Sequence, residues 1–180
     1  MKKIVIAVLS FVLLIIIFLG LNFNTTKTSQ NENSKYLRIH IRANSNLEVD
    51  QNVKYIVKEN VVDFLTPNLA SCTTKQMAIN TIETNKQQLI NIANKTLSDN
   101  GFNYTANIKI NNEYFPTRSY NNVTLDSGFY DAVIVELGKA QGDNWWCVVY
   151  PPLCFTNFES GNNIIYKSKF LEIINKFFNR

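Results

Sequence analysis

The chain is poor in the residues from which most catalytic and metal sites are built. It holds one His and three Cys among 180 residues. They stand at no metal-ligand spacing, so neither a zinc site nor any other metal site is expected. Gly-x-Ser-x-Gly, phosphate-loop and dinucleotide fingerprints are all missing. Three Cys are too few for a disulfide-dense mini-protein. Charge of one sign is scarce too. The formal net charge is +4; Lys2 and Lys3 carry half of it, leaving about +2, too little to name nucleic acid as a partner. At 46% hydrophobic and 18% charged residues, the chain is neither a long disordered polymer nor a multi-pass membrane protein.

What is present is unevenly spread. Ile4 to Leu21 is an uncharged, almost wholly apolar run directly after Lys2-Lys3. As a helix it reaches roughly 27 Å, close to the ~30 Å hydrocarbon core of a bilayer. The paired lysines should stay cytoplasmic, placing everything after Leu21 outside. The run exceeds the usual signal-peptide core, and Gly20 to Asn24 offers no clear small-x-small cleavage site, which favours an uncleaved anchor over a signal peptide. Asn22 to Ser34 is polar and aperiodic, with nothing to bury. The expected organisation is therefore 1–21 signal anchor or signal peptide, 22–34 tether, and 35–180 one extracytoplasmic domain.

Within that domain, Tyr36 to Ala43 alternates. Leu37, Ile39 and Ile41 take one face, and Arg38, His40 and Arg42 the other, as in a half-buried strand. A helix is expected from near Val49 to Leu65, ended by Thr66-Pro67. A second should run from about Thr74 to Ser98, with Ala78, Ile82, Leu89, Ala93 and Leu97 sharing a face. Phe102 to Ile110 alternates as a strand, and Asn111-Asn112 reads as a turn. Tyr130 to Leu137 and Trp145 to Tyr150 are nearly continuous apolar runs, expected centrally in a sheet and joined by a hairpin loop, Gly138 to Asn144. A last helix spans Ile164 to Phe178. Helices after one strand, then several strands, predict an α+β fold: a two-layer sandwich with a mainly antiparallel sheet and the helices packed on one face, preceded by the N-terminal helix.

The stretch from Asn144 to Phe155 holds both Trp and two of the three Cys. On a strand, Trp145 and Trp146 point to opposite sheet faces, so one is core and the other needs a cover or a partner. Cys147 and Cys154 lie outside the cytoplasm, where a disulfide is permitted if the chain folds back at Pro151-Pro152; buried thiols are the alternative. The only His, His40, has no reason in the sequence to lie near Cys147, so Cys–His catalysis is not expected. The Asp126/Asp131 and Asp50/Asp63 pairs read as surface carboxylates. Around Arg42-Ala43-Asn44-Ser45 and Asp50-Gln51, Asp50 suits the positive end of a helix, with Ser45 or Asn46 capping it or shaping the turn. Arg118, between Phe115 and Tyr120, is either a surface cation or an anchor for a carboxylate.

These clusters, in this order, resemble the stage II sporulation protein R family of endospore-forming bacteria. The carriers are Arg42-Ala43-Asn44-Ser45 with Asp50-Gln51 and Lys54; Tyr114 to Tyr120; Gly128 to Ala132; Leu137-Gly138; and Gly142 to Cys147 through Pro151 to Phe155. Asn111-Asn112 departs from the family's pattern, and the tail after Phe155 is short. The resemblance implies a signal and not an enzyme. Such a protein is exported from the forespore into the space between the two membranes of the sporulating cell. There it triggers a membrane-embedded aspartic protease that cleaves a mother-cell sigma factor precursor. No cofactor, small-molecule substrate or nucleic acid is implied. Arg42, Asn44, Asp50, Arg118, Trp145 and Trp146 are the expected contact surface. The alternatives are a secreted cell-envelope hydrolase using Cys147 or a carboxylate pair, and a glycan-binding module in which Trp145 or Tyr120 stacks on sugars.

Overall fold

The computed structural model describes residues 32–120, 123–155 and 163–179. The expected export helix and the tether up to residue 31 lie outside the described residues. Among the described residues, no helix is long and apolar enough to cross a membrane.

A 3-10 turn, Glu32–Lys35, leads into β1 (Leu37–Arg42). Next come α1 (Glu48–Leu69), α2 (Lys75–Thr84), α3 (Lys86–Asp99), β2 (Ala106–Phe115), β3 (Arg118–Tyr120) and β4 (Val123–Leu125). β5 (Gly128–Leu137), β6 (Asn144–Tyr150), a 3-10 turn (Leu153–Phe155) and α4 (Asn163–Phe178) complete the order. Four strands form one sheet, β2-β5-β1-β6, and β3 with β4 forms a separate ribbon. The fold is α+β, but the sheet is mixed. β2–β5 and β1–β6 are antiparallel, whereas the central pairing of β1 with β5 is parallel.

Both faces of the sheet are buried. On the first, Leu37, Ile39, Ile41, Val133, Val135 and Val149 meet Val53, Val57, Val61 and Leu65 of α1 and Leu89, Ala93 and Leu97 of α3. Each Val, Leu or Ile among them contributes about 1.5–3 kcal/mol on burial. On the second, Phe115, Tyr130, Ala132, Ile134 and Val148 pack with Leu125 of the ribbon. β1 is therefore not half-buried: Arg38 and His40 are both closed from solvent.

Several expected elements change. β6 lies at the sheet's edge, and β5 does not form a hairpin with it, because β1 lies between them. The first helix continues through Pro67 to Leu69. Pro costs that turn one backbone bond, but Thr66 Oγ1 and Asn68 Nδ2 donate to the carbonyls of Val62 and Phe64, and Leu69 is buried. The second helix divides at Asn85, whose amide and side chain both bond the Thr81 carbonyl. Asn111-Asn112 is no turn. It lies inside β2 opposite Ala132 and Asp131, and Asn112 Nδ2 donates to Asp131. Phe102, expected in that strand, instead closes α3, its amide donating to the Leu97 carbonyl past Gly101, whose φ is +80°.

Candidate functional site

The parallel pairing obliges the chain to cross over the end of β1 to reach β6, and the residues after β1 are built to receive it. The Gln141 and Gly142 amides donate to the Asn44 and Ala43 carbonyls at 3.2 and 2.9 Å. Asn44 Oδ1 accepts from the Lys139 amide, and Asn46 Oδ1 from the Asp143 amide. Lys54, 2% exposed, donates to the Asp143 carbonyl at 3.1 Å and to Gln51 at 2.6 Å. A Cβ at Gly138 would collide with the Asn44 side chain, and one at Gly142 with the Ser45 carbonyl. Asp50 sits at the centre of this latch, 3% exposed. Its carboxylate accepts from Asn44 at 2.8 Å, Ser45 at 2.5 Å and Tyr104 at 2.6 Å. Burial would raise its pKa, but these three donors outweigh it and hold the carboxyl below the ordinary value.

The second sheet face carries a different chemistry. Alternation along β1 puts Arg38, His40 and Arg42 there, and the register adds Trp146 opposite His40. Arg42 bonds Glu113 at 2.6 Å and Glu136 at 3.2 Å, and Lys109 reaches Glu136 at 2.9 Å. The two cations thus balance the two carboxylates. Burial would raise the Glu136 pKa, yet Lys109 and Arg42 pull it down. His40 Nε2 lies 3.2 Å from Glu113 without hydrogen-bond alignment. Burial and the neighbouring Arg42 push its pKa down to about 3, so the imidazole is neutral. Its ring packs on Phe115 and Trp146. Arg38 is enclosed by Phe115, Tyr120 and Tyr130, with its Cζ 4.2 Å from the Phe115 ring centroid.

The six expected contact residues separate into three groups. Asn44 and Asp50 belong to the latch and use their polar atoms internally. Arg42 is held in the ion cluster on the second face. Arg118 and Trp146 meet on that same face, with the guanidinium 6.0 Å from the indole. Among the described residues, no carboxylate lies within ion-pair distance of Arg118. Trp145 points to the helix face, half-buried, 5.8 Å from Lys58 Nζ.

Cys147 is bonded to Cys154, with Cα atoms 5.9 Å apart, and Cys72 is a buried free thiol. Cys147 pairs with Ile39, so its side chain and that of His40 lie on opposite faces. Asp131 binds Lys75 at 2.6 Å, and Asp63 is exposed while Asp50 is buried. Among the described residues, no group of three or more His, Cys, Asp or Glu is placed to hold a metal. The sequence reading missed the Arg38 cage. The signal for it was the continuous apolar run in Tyr130 to Leu137, which already required a second covered face.

The family model described as Stage II sporulation protein R matches residues 33–160. The chain is similar to Stage II sporulation protein R of Bacillus subtilis (strain 168), at 32% identity over 128 residues. That match covers 71% of this chain and 57% of the relative, so the chain spans little more than half the length of the curated relative it matches. No solved structure matches it.

Proposed function

Because this chain belongs to the stage II sporulation protein R family and so has a role in sporulation, we propose that it is an exported, non-catalytic signal. Its target is a membrane-embedded aspartic protease that processes a mother-cell sigma factor precursor. The observation that carries the proposal is the family match, which covers both faces of the sheet and the latch. The apolar run Ile4 to Leu21 supports export into the space between the two membranes of the sporulating cell, with that run as anchor or leader.

A ligand of this kind works by differential binding: it favours the protease's active arrangement over the inactive one. Moving that equilibrium from about 1% to 99% active needs roughly a 10⁴-fold preference, about 5.5 kcal/mol. A few desolvated Trp and Arg anchors supply that, at about 2 kcal/mol or more each. Arg118, Trp146 and Trp145 are the proposed anchors. Arg42, Asn44 and Asp50 hold the scaffold that presents them.

The test is reconstitution. The full chain, the candidate protease and a tagged precursor are expressed together in a host that does not sporulate. Cleavage should require the chain, and Trp146→Ala or Arg118→Ala should reduce it at least about tenfold while export and folding persist. An exported, folded chain that leaves the precursor intact would sink the proposal.

A further inference from the structure

Among the described residues, Arg38 is the largest side chain closed from solvent, at 0% exposure, and it has no carboxylate partner. Its Nη2 donates to the Tyr120 hydroxyl at 2.7 Å, while Nε and Nη1 have no hydrogen-bond partner. The Phe115 and Tyr130 rings, with centroids 4.2 and 4.7 Å from Cζ, attract the cation through their faces. Their faces offer nothing to its in-plane N–H groups; the Tyr130 hydroxyl, which donates to the Asp126 carbonyl at 2.6 Å, is a further oxygen beside Arg38. A buried guanidinium left in this state costs stability. His40, two residues along the same face, also leaves both ring nitrogens without a hydrogen bond.

Trp146, Leu153 and Phe177 pack against this second-face cluster too, but the part of its cover beside Tyr120 is slight. β3 and β4 are three residues each and are not hydrogen-bonded into the main sheet. Such a ribbon is marginal by itself and belongs to the low-stability end of a fold. It contributes Tyr120, Val123 and Leu125 to the second-face cluster. Arg118, at its start, is exposed. Nη2 is the nitrogen common to both forks of a guanidinium, so the Tyr120 hydroxyl occupies the point on which either bidentate geometry depends. A carboxylate replacing it would take Nη2 together with Nε or Nη1, satisfying a donor that is now idle. It would also match one buried positive charge with one negative charge.

We propose that the Arg38 cage is a carboxylate-binding site for an acidic side chain of a partner peptide, covered by the β3–β4 ribbon and entered when Tyr120 swings away. The site goes beyond the protease reading and stands without it, so its test needs no protease.

The full chain in detergent micelles is treated with phenylglyoxal, and each Arg is followed by peptide mass mapping. Iodoacetamide modification of buried Cys72 reports global unfolding. Arg38 should react more slowly than exposed Arg118, but while Cys72 is still unmodified. Tyr120→Phe should speed Arg38 modification about tenfold, a local-opening effect. Excess acetyl-Gly-Glu-Gly-amide should slow it, whereas acetyl-Gly-Gln-Gly-amide and inorganic phosphate at equal ionic strength should not. Three outcomes overturn the site: Arg38 reacting only together with Cys72, equal effects of the Glu and Gln peptides, or stronger protection by phosphate.

Discussion

Two buried charges, twelve residues apart, have opposite energetic characters. Asp50 accepts three hydrogen bonds and ties α1 to the end of β1. Replacing it with Asn removes the charge that all three donors face, and should cost about 2–4 kcal/mol at neutral pH. The folded-state pKa of Asp50 is depressed. Its contribution is therefore complete above the unfolded value of about 3.9 and is lost as pH falls through the folded value. Urea midpoints of wild type and Asp50→Asn should differ widely at pH 7, and the gap should narrow progressively as pH falls below about 3.9. A gap independent of pH would mean that the carboxylate charge is not what holds the latch. Arg38 differs, because it has one hydrogen bond and two idle donors. Arg38→Met, which fills similar volume without a charge, should leave stability unchanged or raise it by about 1–4 kcal/mol. A loss of more than about 2 kcal/mol in urea unfolding would make Arg38 a structural mainstay.

The crossover from β5 to β6 explains why glycines differ in consequence. Gly142 faces the Ser45 carbonyl and the Ala43 side chain, and a methyl group fits only if the loop lifts away. Gly101 has φ +80° and open space where its Cβ would go. Gly142→Ala should cost about 2–3 kcal/mol through overpacking and lost loop bonds, Gly101→Ala about 1 kcal/mol through backbone strain alone. Thermal unfolding of the two variants ranks them; the reverse order would mean that the crossover does not depend on the latch. The same crossover marks where sequence reasoning stopped. The helices were legible from spacing, since Val53, Val57, Val61 and Leu89, Ala93, Leu97 are local patterns. The alternation of β1 was read correctly, but its burial was not. Whether Arg38 and His40 meet water depends on which strands flank β1 and what covers them. β6, apolar from Trp145 to Tyr150, looked central, yet it is an edge strand. Its apolar character comes from facing helices on one side and the aromatic cluster on the other. Strand order is non-local, and one chain's pattern does not contain it. Asn44, Asp50 and Lys54 read as one cluster, with Gly138 and Gly142 in motifs apart from it. Only the parallel β1–β5 pairing shows that they form one joint.

At the scale of the whole molecule, the cysteines and the apolar run Ile4 to Leu21 bear on the same question of compartment. A disulfide closing Cys147 to Cys154 is favoured where the surroundings are oxidising, which agrees with the export proposed from that run. The bond ties the 3-10 turn after Pro151-Pro152 back onto the edge strand. β6 is hydrogen-bonded to a single strand, β1, so it gains from a second attachment. At a sequence separation of seven, closing so short a loop stabilises the fold by about 2.5 kcal/mol on chain-entropy grounds. That is a large part of the 5–15 kcal/mol holding a typical domain together. Protein recovered from outside the membrane should therefore show one free thiol, Cys72, and that only after denaturation. The same chain without residues 1–21, retained in the cytoplasm, should show three and unfold at lower urea. Replacing both Cys147 and Cys154 with Ser should reproduce the lower midpoint in the exported protein. Three thiols in the exported, unreduced chain would remove the disulfide, and with it this link between covalent structure and export.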